Sequence, residues 1–433
     1  MPNRHFRKAA RASHSQQPQL HVLLLDDDID YTALLKQQIE SRLPASVTIV
    51  HNIEGASQLL KSDSKQFFIG ITSVLNLDSS SFEKIVLMGS FNLSVIALVN
   101  EYEDAMREKL IEHRVIDYVA KNYGFEDHYL CDLIWRIYKN SKIKALVVDD
   151  SRVSRFVVAR ELALQKFNVI QADSAKEALK TLEKNPDIKM VLVDQQMPHE
   201  DGTTFVAKAR EFYSKDELLI IGLSSSIDPR LIVKFLKAGA NDFIAKPFNY
   251  EILLARINQN LDMLDAVDLA KEISNRDFLS GLYNRRYFFE QGNKALKYLN
   301  HDAPLTVMMV DIDFFKKVND LHGHEVGDGV IKNIAAKLKE FFPDDIVARM
   351  GGEEFAVLSK SPQYQTNFDN IEAFRLSVYN QLVEVNKQRL QYTCSVGVCN
   401  VKANDLVEML AQADKNLYMA KRAGRNQVYG MSS

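Results

Sequence analysis

Two aliphatic runs end in clusters of aspartate, and together they limit what this chain can fold into. Val22-Leu23-Leu24-Leu25 leads into Asp26-Asp27-Asp28, and Ala145-Leu146-Val147-Val148 leads into Asp149-Asp150. An unbroken apolar run of this length suits a strand buried on both faces, as in a parallel sheet. The likeness continues at fixed offsets. Leu223 stands 23 residues before Lys246, and Leu98 stands 23 before Lys121. Apolar runs at 219–223 and 95–99, then at 241–245 and 116–120, fill the same places. Residues 21–140 and 143–262 therefore read as two copies of one module, with strands alternating with amphipathic helices.

The second copy carries chemistry at its strand ends. Asp149 and Asp150 end one strand, Asp194 ends Met190–Val193, Ser224 follows Leu219–Leu223, and Lys246 follows Asn241–Ala245. In an open parallel sheet these ends gather at one edge, where ligands bind. Clustered carboxylates repel unless a cation joins them, and oxygen-only donors suit Mg²⁺. This copy resembles the receiver domain of two-component response regulators, on Asp149-Asp150, Asp194 within DQQMPHEDG, Ser224, Phe243 and Lys246-Pro247. The resemblance implies a flavodoxin-like, doubly wound fold with Asp194 as phosphoacceptor. It also implies Mg²⁺ held by Asp149, Asp150, Asp194 and the Gln196 carbonyl. Ser224 and Lys246 would contact the phosphoryl group, and Phe243 would be the aromatic switch. The partner implied is a sensor histidine kinase or a phosphotransfer protein.

The first copy departs from that pattern. Asp26, Asp27 and Lys121 are kept. The offset of 44 from Asp150 to Asp194, applied to Asp27, lands on Ile71 in Phe67–Ser73, where there is no aspartate. The hydroxyl position falls on Val99. Residues 21–140 are expected to be a degenerate receiver-like domain used for packing and dimerisation.

Two stretches invite other assignments. Glu177-Ala178-Leu179 spells the name of a cyclic di-GMP phosphodiesterase family, but it lies in a predicted helix, Ser174 to Glu183, where its apolar residues read as a core stripe. Beyond Phe248 the helical pattern runs on. Leu254, Ile257, Leu261 and Leu264 form a seam that is either the last receiver helix or the start of a helical linker, residues 263–276, that carries dimer geometry.

The third region opens at Asp277. A buried run, Leu305–Val310, ends in Asp311-Ile312-Asp313-Phe314-Phe315-Lys316, and a predicted hairpin, 346–359, has Gly351-Gly352-Glu353-Glu354 at its tip. Glycines there supply unusual φ angles and let a ligand approach bare backbone. A helix is expected near 369–388, a strand at Tyr392–Val398, and a last helix from Leu406 to Arg422 that runs into Gly424-Arg425-Asn426. Residues 277–433 resemble the GGDEF family of diguanylate cyclases, whose fold is ferredoxin-like α+β.

That resemblance implies condensation of two GTP into cyclic di-GMP and two pyrophosphates. Mg²⁺ (or Mn²⁺) would be held by Asp311, Glu354 and the Ile312 carbonyl, with Glu353 as candidate base. Asn319 and Asp328 would read guanine. The amides of Phe314 and Phe315, with Lys316, Lys421 and Arg425, would cradle the triphosphate, and Gly351 and Gly352 would leave room for it. Each domain holds one GTP, so a homodimer is expected. The family's inhibitory Arg-x-x-Asp reads Phe342-Pro343-Asp344-Asp345 here. Arg375 is a candidate helper arginine of that site.

Composition closes off other classes. A formal net charge of −3 gives no basic field for nucleic acid. Three cysteines without ligand spacing suit a cytoplasmic compartment. No run is long enough to span a membrane. Residues 1–20, with Arg4, Arg7, Lys8 and Arg11, read as a disordered basic tail. A non-catalytic GTP-binding regulatory protein is the alternative function. A DNA-binding regulator lacks its recognition helix.

Overall fold

The computed structural model describes residues 20–101, 103–121, 126–225, 228–298, 305–359, 364–385, 388–401 and 405–432. The expected tail lies outside them except for Leu20, which is buried at the start of the first strand. The chain divides into two compact units, Met1–Leu264 and Asp265–Ser433.

The first unit holds two five-stranded parallel sheets. The first has β1 (Leu20–Leu25), β2 (Ala45–Val50), β3 (Ile69–Ser73), β4 (Val95–Val99) and β5 (Asp117–Ala120) in the order β2-β1-β3-β4-β5. Its helices are α1 (Ile29–Arg42), α2 (Ile53–Asp63), α3 (Ser79–Ser90), α4 (Asp104–Glu112) and α5 (Glu126–Asn140). The second sheet has β6 (Lys144–Val148), β7 (Asn168–Ala172), β8 (Ile188–Asp194), β9 (Leu219–Ser224) and β10 (Asp242–Ala245). Its order, read from the other edge, is the same. It carries α6 (Arg152–Leu164), α7 (Ala175–Lys184), α8 (Gly202–Arg210), α9 (Pro229–Lys237) and α10 (Tyr250–Ser274).

The all-apolar strands are explained by burial on both faces. Along β1, Val22 and Leu24 pack into one cluster, and Leu23 and Leu25 pack into another. On β6, Leu146 and Val148 face one side, Ala145 and Val147 the other. The strand order is the doubly wound one, which collects the β1, β3 and β4 carboxyl ends, and those of β6, β8 and β9, at one edge. Glu177-Ala178-Leu179 lies in α7, with Ala178 fully buried.

The two sheets of this unit are joined by specific contacts. Arg107 on α4 pairs with Glu251 at the start of α10, with its Nε 2.9 Å from the carboxylate. Arg136 on α5 pairs with Asp262. The Gln165 side-chain amide donates to the Ile116 carbonyl at 2.8 Å. The seam that could have opened a linker is used internally. Ile257 and Leu261 are buried in the second sheet's core, and Leu254 and Leu264 pack against it. The helix itself continues to Ser274.

The second unit has β11 (Tyr283–Asn284), α11 (Arg285–Tyr298), β12 (Leu305–Ile312), α12 (Phe315–His322), α13 (His324–Phe341), β13 (Ile346–Gly351) and β14 (Glu354–Ser359). These are followed by α14 (Tyr364–Tyr379), β15 (Val383–Val385), β16 (Gln388–Leu390), β17 (Cys394–Val401), α15 (Leu406–Arg422) and β18 (Val428–Ser432). The six-stranded sheet runs β11-β13-β14-β12-β17-β18. Its four middle strands are antiparallel neighbours in ferredoxin-like order. The helix expected near 369–388 ends at Tyr379, because Val383 to Leu390 pair as a small antiparallel hairpin. Cys131, Cys394 and Cys399 are buried free thiols. Among the described residues no helix is long and apolar enough to cross a membrane.

Candidate active site

In the second unit, strand register brings the acids together. Asp311, on β12, lies directly opposite Glu354 on β14. Asp311 is 5% exposed, whereas Glu354 is exposed. The Lys421 ammonium stands 2.8 Å from the Asp311 carboxylate. Burial pushes the Asp311 carboxyl up to about 6; Lys421 pulls it down, and the charges of Glu353 and Glu354 add to the rise. A buried carboxylate among other carboxylates, short of positive charge, is what a cation site looks like before the cation is counted.

The hairpin tip is open. Gly351 (φ 154°) and Gly352 (φ 50°) have nothing within 4 Å of where a Cβ would stand. Gly352 is in left-handed geometry, so a larger residue there would be strained as well as in the way. The tip is pinned from beneath by Arg349, whose Nε and Nη2 donate to the Gly352 carbonyl at 2.9 and 2.7 Å. Its Nη1 lies 3.1 Å from the Asp277 carboxylate.

Beside the tip, α12 and α13 cross closely. A Cβ on Gly327 would stand 1.9 Å from Asn319 Oδ1, so a larger residue there would push the Asn319 side chain out of its place. Asn319 thus lies beside Gly327 on α13, the residue before Asp328. Phe314 precedes α12 in left-handed geometry (φ 57°), and its exposed ring lies 4.3 Å from the Arg425 guanidinium. The first-turn amides of a helix have no intrahelical partners, so the start of α12 suits an anion.

The first unit has a second acid cluster, at the edge of the β6 sheet. Lys246 Nζ donates to Asp149 Oδ2 at 2.7 Å and to Asp194 Oδ1 at 2.6 Å. The Gln196 amide donates to Asp194 at 2.9 Å. Burial pushes the Asp194 carboxyl up, against the pull of Lys246. Burial alone would lower the Lys246 pKa, but its bonds to Asp149 and Asp194 hold it above the ordinary value. Ser224 is fully buried at the end of β9, and Phe243 packs edge-on against Phe235. Asp149, Asp150, Asp194 and Lys246 line one open cleft.

These features agree with the comparisons. The family model described as "Diguanylate cyclase, GGDEF domain" matches residues 274–427, and the receiver model of response regulators matches 145–258. A crystal structure described as that of a two-component system response regulator/GGDEF domain protein superposes with a TM-score of 0.52 at 35% identity. It covers 57% of this chain, and this chain covers all of it.

The chain belongs to the GGDEF response regulators.

Among curated relatives, the response regulator PleD of Caulobacter vibrioides is 30% identical over 303 residues, 67% of this chain and 66% of its own length. The probable diguanylate cyclase DgcT of Escherichia coli is 37% identical over 184 residues, 38% of each chain. This chain thus spans under two thirds of the length of these relatives.

Against the GGDEF pattern, the structure gathers Asp311, Glu353, Glu354 and Lys421 at one sheet end, with Asn319 and Asp328 together on the α12–α13 crossing. Lys316 lies exposed in the first turn of α12, and Phe315 is buried. Phe342 is 2% exposed and packs on Phe374, so the inhibitory arginine's place is filled by core. Arg375 is 8% exposed and bonded to Glu372 and Asn426. The first sheet also needs a correction. Leu25 pairs with Thr72 as Val148 pairs with Val193, so the acceptor position is Ser73, not Ile71.

Arg349 and Asp277 hold the tip in place, and the sequence does not announce that pairing. The signal was an arginine immediately before the hairpin tip, but its partner is distant in sequence. Divalent metal is what GGDEF diguanylate cyclases generally use. Among the described residues no three His, Cys, Asp or Glu side chains form a ready-made cage. Two carboxylates and a carbonyl at the β12–β14 site, and three carboxylates and a carbonyl at the β6 edge, fit Mg²⁺, which keeps waters and takes substrate phosphates as further ligands.

Proposed function

We propose that this protein is a response-regulator diguanylate cyclase. It condenses two GTP into cyclic di-GMP and two pyrophosphates, under control of phosphorylation at Asp194 and of dimerisation. The observation that carries this is Asp311 facing Glu354 across β12 and β14, under an open glycine tip, with Lys421 on the buried carboxylate.

Residues Asp311, Glu354 and the Ile312 carbonyl would hold Mg²⁺ or Mn²⁺, which when bound supplies positive charge to the triphosphate. Lys421 and Arg425, with the amides before and at the start of α12 (Phe314, Phe315) and Lys316, bind phosphate oxygens. Asn319 and Asp328 accept from the Watson–Crick edge of guanine; adenine N1, itself an acceptor, would meet Asp328 badly. Glu353 takes the proton of the 3′-hydroxyl as its oxygen bonds to the α-phosphorus of the GTP opposite, and pyrophosphate leaves. One domain holds one GTP, so two chains must face each other.

In residues 143–262, Asp194 is the phosphoacceptor. Asp149, Asp150 and the Gln196 carbonyl complete a Mg²⁺ site, and Ser224 and Lys246 meet the phosphoryl group. Phe243 is the switch, and a histidine kinase or phosphotransfer protein in the cytoplasm is the donor. Residues 21–140 are a receiver-like domain that takes no phosphate. With Phe342 in the inhibitory position, product inhibition there is weak.

Glu354→Gln and Asp311→Asn should each lower cyclic di-GMP formation by at least about a hundredfold, with the fold kept. Wild-type protein that binds GTP with Mg²⁺ but forms no product would instead make the domain a GTP-binding regulator.

A further inference from the structure

Arg375 lies on α14, outside the acid cluster, and no role in the proposed chemistry accounts for it. It is 8% exposed, and Glu372 accepts from its Nε at 2.9 Å. Its Nη1 donates to Asn426 Oδ1 at 2.8 Å. Asn426 closes the turn after α15, in which Gly424, Arg425 and Asn426 have φ of 119°, 65° and 47°. Two successive non-glycine residues in left-handed geometry persist only when their surroundings hold them there. The backbone supplies part of that hold, since Arg425 N–H donates to the Ala420 carbonyl at 3.1 Å. The Asn426 side chain supplies another, through Arg375.

The circuit then returns to the site. Asn426 N–H donates to Asp313 Oδ2 at 3.0 Å. Asp313, 4% exposed, also accepts from Thr393 Oγ1 and Ser395 Oγ, each at 2.7 Å. The next residue is Phe314, whose ring lies against the Arg425 guanidinium. The turn that carries Arg425 and the loop that opens α12 are thus tied together at Asp313, and Arg375 holds the far end of the tie.

We propose that Arg375 is a positioning residue. By fixing Asn426, it sets the Gly424–Asn426 turn and keeps Arg425 aimed at the triphosphate without touching nucleotide itself. The proposal rests on the GTP-binding part of the proposed function.

The test is binding of a non-hydrolysable GTP analogue with Mg²⁺ to the full chain, in a double-mutant cycle. Arg375→Ala should weaken binding about tenfold, Arg425→Ala by a similar factor, and the double variant no more than Arg425→Ala alone. Asn426→Gly, which tolerates positive φ and keeps the backbone N–H bond to Asp313 while removing the partner of Arg375, should reproduce Arg375→Ala and covers the case in which Arg375→Ala does not fold. Factors that multiply in the double variant, or unchanged binding in Arg375→Ala or Asn426→Gly, would overturn the proposal. Wild type that binds the analogue but makes no cyclic dinucleotide overturns the cyclase reading and leaves this one intact. Wild type that does not bind it overturns both.

Discussion

The β1 sheet and the β6 sheet have one topology and two chemistries. Both present an aspartate at the end of the first strand and a lysine after the fifth. In the β6 sheet, Lys246 bridges Asp149 and Asp194. In the β1 sheet, Lys121 meets Asp26 at 3.1 Å and lies over the Tyr31 ring, and the hydroxyl of Ser73 takes the place of the second carboxylate. The hydroxyl position is Ser224 in one and Val99 in the other, each paired to the alanine that ends the neighbouring strand. The central strands are buried in both, so the scaffold does not depend on the acids. The difference shows that apolar pattern sets the fold and that a few strand-end residues set what it can do.

The largest expected effect of that difference is in phosphoryl uptake. With acetyl phosphate and Mg²⁺, wild type should take up about one phosphoryl group per chain and Asp194→Asn essentially none, by intact-mass measurement. Label on Ser73 in Asp194→Asn would break the comparison.

A smaller effect is expected from removing each lysine. Lys246→Met leaves two buried carboxylates without their cation and should cost about 1–3 kcal/mol in metal-free urea unfolding, with much of it restored by Mg²⁺. Lys121→Met leaves one carboxylate that keeps Ser73, so about 1 kcal/mol is expected, with no rescue by Mg²⁺. Equal Mg²⁺ rescue in both variants would mean the two edges are alike after all.

The smallest effect is at the contact between the two sheets. Arg107 is partly exposed, with a partly exposed partner, so Arg107→Ala should barely move the urea-unfolding midpoint. A much larger loss would show that the β1 sheet supports α10 more strongly than its ion pairs suggest.

Much of this was legible because the motifs are chemically peculiar. Aliphatic runs into aspartates gave both sheets and their edges. The glycine tip, Asp311 and the run from Lys421 to Asn426 marked the candidate site in the second unit. What stayed hidden depends on spacing or on distant partners. From Leu25 to Val50 the first copy is one residue longer than from Val148 to Ala172, and from Val50 to Thr72 it is again one longer than from Ala172 to Val193. A fixed offset therefore stopped at Ile71, two residues short of Ser73. Arg349 reaches Asp277 and Arg375 reaches Asn426 only after the sheet has formed, and no local pattern announces either bond. The seam at Leu254 to Leu264 fits a stalk and a core helix equally well; only the receiver sheet beneath it decides.

The most direct measurement follows cyclic di-GMP formed from GTP and Mg²⁺ by the purified full chain, with and without beryllium fluoride, in wild type, Ser73→Ala and Asp194→Asn. The account predicts product in wild type, a rate that beryllium fluoride changes in wild type and Ser73→Ala alike, and no change in Asp194→Asn. No product from wild type in either state, or the same beryllium fluoride response in Asp194→Asn, would contradict it.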